Sequence, residues 1–199
     1  MAVDLILSAL FGYFLGSIPF GLLLTKMAGH GDVRDIGSGN IGATNVLRTG
    51  SKALAAFTLL ADMLKGLIPV LVVSWSLGLV PFGIVAGFAA LLGHMFPVWL
   101  KFKGGKGVAT YIGACFGISF YLGLAFIGIW LAMAFLFKIS SLSALVAAGL
   151  VPFLALWFAD PVVSLTLLAM SLLVIIRHRE NVGRLLSGSE DRIGQKKSD

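Results

Sequence analysis

The residues with the clearest capacity for chemistry fall in three short segments, at positions 30–48, 93–110 and 177–190. The first segment is rich in glycine and in neutral hydrogen-bond donors, and it ends in an arginine. Its candidate residues are Gly37, Ser38, Gly39, Asn40, Thr44, Asn45 and Arg48. Glycines let successive backbone N–H groups turn toward an anion, and a guanidinium fork matches the shape of a phosphate. This segment therefore predicts a phosphate-binding loop.

The second segment has a glycine-rich turn just ahead of an apolar run. The turn consists of Gly104, Gly105, Lys106 and Gly107. A helix start, backbone N–H groups and an ammonium placed together favour the binding of an anion. Gly107 stands where a nucleotide-binding P-loop requires Ser or Thr for magnesium, so the turn is not of that kind. Lysines that snorkel to a membrane surface explain Lys101 and Lys103, but they do not explain the glycines.

The third segment follows the last apolar run and contains a histidine and an amide. If the last helix continues past the membrane, His178 and Asn181 share one face, and Arg177, Asn181 and Arg184 form an overlapping stripe. A basic tail that binds anionic lipid is the alternative, and it requires neither His nor Asn.

Two charged residues, Asp62 and Lys65, lie three positions apart inside an apolar run. Isolated charges at membrane depth are costly, so we expect the two to pair inside a helix bundle in a structural role. Whether the pair also touches a substrate is open. His94 is interpreted as an interior histidine. The single cysteine, Cys115, lies in an apolar run, so no disulfide framework, no metal site and no cofactor is expected.

The amino-acid composition indicates the class of protein to which these segments belong. The chain has 199 residues, of which 58% are hydrophobic and only 12% charged, and its mean hydropathy is +1.00. Soluble domains carry about 25% charged residues, and disordered chains lack this apolar content. The net charge of +6 does not indicate nucleic-acid binding, because the basic residues border apolar runs. The sequence therefore predicts an integral membrane protein with the lipid bilayer as its environment.

The apolar runs predict an all-α, polytopic helix bundle that forms one domain over residues 1–199. The runs occupy residues 5–25, 53–74, 79–100, 107–137, 142–159 and 162–176. As one helix, run 107–137 would measure about 46 Å, against about 30 Å of hydrocarbon. If it turns near residues 117–120, every Lys and Arg cluster falls on one side. The positive-inside rule then favours about seven helices, an outer N-terminus and a cytoplasmic C-terminus, with six helices as the alternative.

The motifs together resemble a known family of bacterial membrane enzymes. Residues 16–21, 37–45, 93–110 and 177–190 are similar to the PlsY family, the acyl-phosphate:glycerol-3-phosphate acyltransferases. The resemblance implies transfer of a fatty acyl group from acyl phosphate to the 1-hydroxyl of sn-glycerol 3-phosphate. The products would be lysophosphatidic acid and inorganic phosphate, in an early step of phospholipid synthesis. It also implies seven helices in the bacterial inner membrane and a site that faces the cytoplasm.

The resemblance also implies roles for individual residues. Ser38 and Arg48 belong to the first motif, the second-segment glycines and Lys106 bind phosphate, and His178 and Asn181 belong to the third motif, in which Glu190 is structural. The glycerol hydroxyl would attack the acyl carbonyl directly, and either a phosphate or His178 would take the proton. The pair His30 and Asp35 also matches the H-x4-D pattern of soluble acyltransferases, but no partner motif follows it. A transporter of organic phosphates and a non-catalytic scaffold are the rival functions.

Overall fold

The computed structural model describes residues 1–194, and within that range its regular elements are all helical. The α-helices are α1 (Ala2–Gly16), α2 (Phe20–Met27), α3 (Ala43–Val46), α4 (Lys52–Leu77), α5 (Val80–Met95), α6 (Val108–Ile118), α7 (Phe120–Phe137), α8 (Ser140–Phe158), α9 (Pro161–Arg177) and α10 (Arg179–Leu186). Short 3₁₀ turns occupy Val33–Asp35, Leu47–Thr49 and Val98–Leu100. The predicted all-helical membrane fold is confirmed.

Five helical stretches of the described residues are long and apolar enough to cross a membrane. They are Ala2–Met27, Lys52–Leu77, Val80–Leu100, Phe120–Phe137 and Ser140–Trp157. The bent pair α9 and α10 makes a sixth if it counts as one span. The long run does break at Ser119, between α6 and α7, within the predicted turn. However, α6 has 11 residues and is about 16 Å long, roughly half of the hydrocarbon thickness. The described residues therefore contain five or six full-length candidate spans, against about seven helices predicted, and α6 is the short remaining one.

The first apolar run is interrupted, although the sequence pattern predicts one helix. α1 ends at Gly16 and α2 begins at Phe20. Pro19 lacks an N–H group and disfavours helical geometry at Ile18 before it, which favours a break at this point. Proline alone does not force such a break, since α4 and α8 continue through Pro69 and Pro152. The Ser17 hydroxyl donates to the Phe14 carbonyl at 2.8 Å and covers one of the exposed acceptors at the break.

The chain forms two compact units, and the first comprises Met1–Ile118. In this unit α5 packs against α1, α4 and α6. The helices approach closely because glycines face neighbouring backbone: a Cβ at Gly16 of α1 would overlap Ala90 of α5, and one at Gly113 of α6 would overlap the Met63 carbonyl of α4. Small residues at helix contacts are typical of membrane bundles, in which close packing replaces the hydrophobic effect.

The second unit begins at Ser119 and packs α8 against α7 and α9. Hydroxyl groups of α9 join it to α8: Ser171 donates to the Ala148 carbonyl at 2.5 Å and Ser164 to the Pro152 carbonyl at 2.6 Å. Such interhelical hydrogen bonds hold helices together where no water competes. α9 is followed by α10 after a bend of 63°, centred on His178.

Candidate functional site

The buried amide of Asn45 organises the first polar segment. Its side chain is 2% exposed, and its amide nitrogen contacts the carbonyls of Val33 at 2.7 Å, Asn40 at 2.8 Å and Ile36 at 3.1 Å. Residues 33–45 are thereby closed into one loop. The sequence pattern suggested that this amide donates to an anion. The structure instead uses its donors within the loop, so we revise that expectation.

The same side chain brings two candidate anion-binding groups to one point. The Asn45 Oδ1 atom accepts from the Ser38 N–H at 3.0 Å and from the Arg48 guanidinium at 3.3 Å. Gly37 has a φ of +53°, and a Cβ there would overlap the Arg48 side chain, so this position requires glycine. Ser38, Thr44 and Arg48 are all exposed at this end of the loop. The Ser38 N–H is engaged by Asn45, so the groups here that suit a phosphate are the exposed Arg48 guanidinium and the Ser38 hydroxyl.

The other polar groups of this loop form hydrogen bonds that stabilise its turns. The Asn40 Oδ1 atom accepts from the Gly42 N–H at 3.0 Å, and Gly39, with a φ of +66°, donates to the Ile36 carbonyl at 3.0 Å. Below the loop lies an apolar cluster that fixes it to α2 and α4. This cluster consists of Leu22, Val33, Ile41, Val46 and Ala55. The loop is therefore a preformed structure and not a flexible linker.

The second polar segment is fixed to the end of α5 through its glycines. The Gly104 N–H donates to the Met95 carbonyl at 3.1 Å, and the Gly105 N–H donates to the His94 carbonyl at 3.0 Å. These two N–H groups were expected to face an anion, but the structure gives them backbone acceptors. Lys106 is half-buried and follows directly, and α6 begins two residues later. The ammonium and the positive end of α6 are thus the groups of this segment suited to an anion.

The predicted pairing of Asp62 with Lys65 is present in α4. Their side chains are 3% and 1% exposed, and Lys65 Nζ lies 2.7 Å from Asp62 Oδ1. The Lys65 ammonium also donates to the Ile18 carbonyl at 2.7 Å, at the break between α1 and α2. The two charges therefore compensate each other. The ammonium also supplements the Phe20 N–H, which donates to the same Ile18 carbonyl at 3.1 Å.

In the second unit, His178 occupies the bend between α9 and α10. The condition of a helix that continues unbroken through residues 177–184 is not met, because the helix bends at this residue. The imidazole is 3% exposed, and its Nδ1 atom lies 2.8 Å from the Val174 carbonyl. A carbonyl only accepts hydrogen bonds, so Nδ1 carries the proton. In the neutral ring, Nε2 then holds the basic lone pair.

Glu190 holds Asn181 in place from the residues that follow α10. One carboxylate oxygen accepts from the Asn181 amide at 2.5 Å and from the Ser141 hydroxyl at 2.6 Å. The other accepts from the Arg184 guanidinium at 2.6 Å. The carboxylate is 8% exposed and joins the beginning of α8 to α10. It thereby sets the orientation of the Asn181 side chain.

Comparison with known proteins places this geometry in a family. The family model described as glycerol-3-phosphate acyltransferase matches residues 6–188. The chain belongs to the PlsY family of glycerol-3-phosphate acyltransferases. The protein of that name from Mesorhizobium japonicum is 57% identical over 196 residues, which cover 98% of this chain and 100% of the relative. The one from Agrobacterium fabrum is 60% identical over 195 residues, which cover 96% and 93%.

A solved structure supports the same assignment. The crystal structure of PlsY in its glycerol 3-phosphate form, described as an integral membrane glycerol 3-phosphate acyltransferase, superposes with a TM-score of 0.90. It is 38% identical and the match covers 96% of each chain. The lysophosphatidic acid form superposes with a TM-score of 0.88. This PlsY family member is therefore an integral membrane acyltransferase.

Truncating the loop-closing amide is expected to impair this family member without touching a charged group. Asn45→Ala removes the hydrogen bonds to three loop carbonyls and to Arg48, and should lower Tm by about 4–12 °C, since buried hydrogen bonds contribute roughly 1–3 kcal/mol when broken. It should also lower kcat/KM at least about tenfold, because Arg48 loses its orientation. Thermal unfolding in detergent and steady-state kinetics measure the two effects.

Asp35→Ala is the matched control, because Asp35 is an exposed residue of the same loop. It should change the free energy of unfolding by less than about 0.5 kcal/mol and leave kcat/KM unaltered. A large loss of activity in this control would instead favour an H-x4-D mechanism. Wild-type kinetics in Asn45→Ala would contradict the loop's assigned role.

The Glu190 contacts predict a pH-dependent stability. Burial alone would raise the pKa of this carboxyl, but hydrogen bonds from Ser141, Asn181 and Arg184 outweigh it and hold the pKa below its ordinary value of 4.5. A carboxyl with a lowered folded pKa contributes stability above 4.5, and this is lost as the pH falls through the folded pKa. Glu190→Gln should therefore lower Tm by about 2–6 °C at neutral pH, and the difference should shrink below pH 4.5.

Glu180→Gln, the same substitution at an exposed position of α10, should leave Tm unaltered at every pH. Melting curves of the wild type and both variants across this pH range provide the test. If the gap between wild type and Glu190→Gln were constant with pH, the carboxylate charge would not be the stabilising feature.

Sequence reasoning missed several residues that hold the site together. His94 is an interior histidine, as predicted, but its contact with Gly105, where a Cβ would overlap the ring, was not foreseen. The Trp99 indole N–H donates to the Ser17 hydroxyl at 2.7 Å, and the Tyr13 hydroxyl donates to the Phe96 carbonyl at 2.8 Å. These contacts fasten the second segment to the end of α1. Their partners are 82 and 83 positions apart, and no local pattern signals such a contact.

Proposed function

We propose that the protein transfers a fatty acyl group from acyl phosphate to the 1-hydroxyl of sn-glycerol 3-phosphate. The products are 1-acyl-glycerol 3-phosphate and inorganic phosphate, in an early step of bacterial phospholipid synthesis. Family membership supports glycerol 3-phosphate as the acceptor. The observation that carries the proposal is the Asn45 loop, in which the Asn45 Oδ1 atom anchors both the Ser38 backbone and the Arg48 guanidinium. The exposed guanidinium and the Ser38 hydroxyl are thereby preformed for a phosphate.

The anionic substrates require cations that are fixed before binding. Arg48 and Lys106 supply the two positive charges in unit 1, and the start of α6 adds its dipole next to Lys106. Neutral donors from Ser38 and Thr44 complete the phosphate contacts. Such preorganised groups stabilise developing charge without reorganising during the reaction, and they hold the reactants in attack geometry.

The acyl transfer itself is a direct displacement. The 1-hydroxyl oxygen forms a bond to the acyl carbon, the bond from that carbon to the phosphate oxygen breaks, and phosphate departs with its electron pair. Phosphate leaves readily, so the reaction needs no strong general acid. The hydroxyl proton passes to a substrate phosphate, with His178 as the competing base, whose Nδ1–H is engaged by the Val174 carbonyl. Asn181 lies in the first turn of α10, three residues after His178, and Glu190 fixes the orientation of its amide.

The site faces the cytoplasm of the bacterial inner membrane in this proposal. The charge pattern supports that orientation, since the polar segments 26–52, 101–106 and 177–197 contain most of the Lys and Arg residues. Water-soluble glycerol 3-phosphate is available there, and the acyl chain of the donor stays in the bilayer. Neither nucleic acid nor any metal ion or other cofactor takes part.

One assay separates the proposal from its rivals. Purified protein in detergent receives acyl phosphate with glycerol 3-phosphate, or acyl-CoA with glycerol 3-phosphate, and phosphate and lysophosphatidic acid are measured. The proposal predicts that acyl phosphate with glycerol 3-phosphate yields both products in equal amounts, and that acyl-CoA with glycerol 3-phosphate yields neither. Turnover with acyl-CoA at an equal rate would refute the donor assignment. Absence of turnover combined with uptake of glycerol 3-phosphate into proteoliposomes would identify a transporter instead.

A further inference from the structure

Three buried ionisable side chains, Asp62, Lys65 and His94, form a cluster that joins α4 to α5. Each is at most 3% exposed. Lys65 Nζ lies 2.7 Å from Asp62 Oδ1, and His94 Nδ1 lies 3.7 Å from the same oxygen. The second distance exceeds that of a direct hydrogen bond, but it permits attraction between the ring and the carboxylate. Polar groups at membrane depth are retained where they have a function, and the proposed reaction uses none of these three.

The lysine of the cluster contacts the start of α2, the helix that leads into the first phosphate loop (residues 33–45). Its ammonium donates to the Ile18 carbonyl at 2.7 Å and lies 5.6 Å from the centre of the Phe20 ring, at the beginning of α2. α2 in turn contacts the loop, because a Cβ at Gly21 would overlap the Ile41 carbonyl. Lys65 is thus in contact with the start of α2, and α2 packs closely against the loop.

The histidine of the cluster contacts the second phosphate loop (residues 101–107). Its ring lies between the Asp62 carboxylate and the backbone of Gly105, where a Cβ would overlap the ring. Its own carbonyl and that of Met95 accept the N–H groups of Gly105 and Gly104, at 3.0 and 3.1 Å. The residue that follows is Lys106. The position of the imidazole thus fixes the backbone from which the Lys106 side chain extends.

We infer that the Asp62–Lys65–His94 cluster is a positioning device that sets the two phosphate loops of unit 1 relative to each other through one carboxylate. Lys65 acts on the first loop through α2, and His94 acts on the second loop directly. All three are positioning residues, since they act through the loops that bind substrate. The inference rests on the proposed function in one respect, namely that these loops bind the substrate phosphates.

We expect the Asp62–Lys65 ion pair to affect the position of the two loops more than the free energy of unfolding. Replacing a buried ion pair by apolar residues of similar volume is often neutral or stabilising, because the desolvation of both charges is avoided. Asp62→Leu combined with Lys65→Met should therefore fold and melt near the wild-type temperature. It should nevertheless release both loops, because the Ile18 carbonyl loses the Lys65 ammonium and His94 loses its carboxylate. His94→Phe keeps Lys65 in place and should release only the second loop.

The test is hydrogen–deuterium exchange on the full-length protein in detergent, with peptides that cover residues 28–42 and 101–107. In the Asp62→Leu/Lys65→Met variant, amides of both loops should exchange at least about tenfold faster than in the wild type. This equals a decrease of ~1.4 kcal/mol in the free energy of local opening. In His94→Phe the acceleration should be confined to 101–107. Phe82→Leu is the control: it removes core volume at the start of α5, lowers Tm, and should leave both loops at the wild-type rate.

Kinetics add a readout that a purely structural role would not change. Both cluster variants should raise KM for glycerol 3-phosphate or acyl phosphate about tenfold with a smaller change in kcat, because phosphate contacts are lost in the ground state and the transition state alike. Phe82→Leu should leave KM unaltered. Combining all three cluster substitutions should accelerate exchange in 101–107 no more than the double variant does, since both routes act through one contact.

Wild-type exchange and wild-type KM in folded cluster variants would overturn the inference and leave the cluster a structural one. If the double variant does not accumulate as folded protein, the result for His94→Phe decides alone. If the wild type shows no acyl transfer, the proposed function fails. The exchange rates still decide whether the cluster positions the loops, because they require no substrate.

Discussion

Replacing His178 by asparagine or glutamine lowers kcat by about 10²–10⁴-fold if this residue takes the hydroxyl proton, the range typical of a lost general base. Neither amide offers a basic nitrogen. The asparagine amide can still donate to the Val174 carbonyl, which Nδ1 contacts at 2.8 Å in the wild type, so the bend between α9 and α10 should persist. KM for glycerol 3-phosphate should change less than about threefold, because the phosphate contacts remain.

The matched control for this experiment is His30→Gln. His30 is an exposed histidine of the first polar segment, and its substitution should leave kcat unaltered. Steady-state phosphate release and a thermal melt of each variant provide the data. If kcat of His178→Asn stays within about tenfold of the wild type while binding is intact, the proton goes to a substrate phosphate and not to His178.

Removing the ammonium of the second loop should mainly weaken substrate binding. Lys106→Met keeps the aliphatic stem and deletes the charge, and it should raise the apparent KM for the phosphorylated substrates about 10–100-fold, since contacts between a cation and a phosphate contribute about 1.5–3 kcal/mol. kcat should fall less than KM rises. Lys106 is half-buried and lies two residues before α6, so water cannot fully take over its contact with a phosphate when the ammonium is removed.

Lys103→Met tests the specificity of that effect. Lys103 is an exposed lysine three residues earlier in the same loop, so its substitution removes an equal charge and leaves the Gly104 and Gly105 contacts in place. KM should then change less than about twofold, since an exposed charge is screened. An unchanged KM in Lys106→Met would remove this residue from the anion site, and equal effects of both variants would indicate only a general electrostatic attraction.

Much of the membrane architecture could be predicted from the sequence because its signals are local. Apolar runs of about 20 residues define spans, and the position of Lys and Arg relative to them indicates the break within run 107–137. Ser119, where the structure breaks, has no strong turn propensity of its own. The requirement that Lys138 lie on the basic side supplied that prediction. The break at Ser17–Pro19 was missed because apolar composition continues across it.

The interior of the candidate site could not be predicted in the same way. Asn45 was assigned to an anion from its residue type, but a buried amide satisfies loop carbonyls first, because unpaired carbonyls in the interior are costly. Gly104 and Gly105 were expected to offer their N–H groups, whereas the end of α5 has carbonyls that need donors. Both corrections have one physical cause: polar groups inside the fold are satisfied by the chain before any ligand arrives.

A structure of the protein with glycerol 3-phosphate and a non-hydrolysable acyl phosphate bound would test the central claim most directly. The account predicts phosphate oxygens within about 3 Å of the Arg48 guanidinium, the Ser38 hydroxyl and the Lys106 ammonium. If His178 takes the proton, the 1-hydroxyl lies within hydrogen-bond reach of its Nε2 atom. Phosphates bound away from Arg48 and Lys106, with those two cations still facing water, would contradict it.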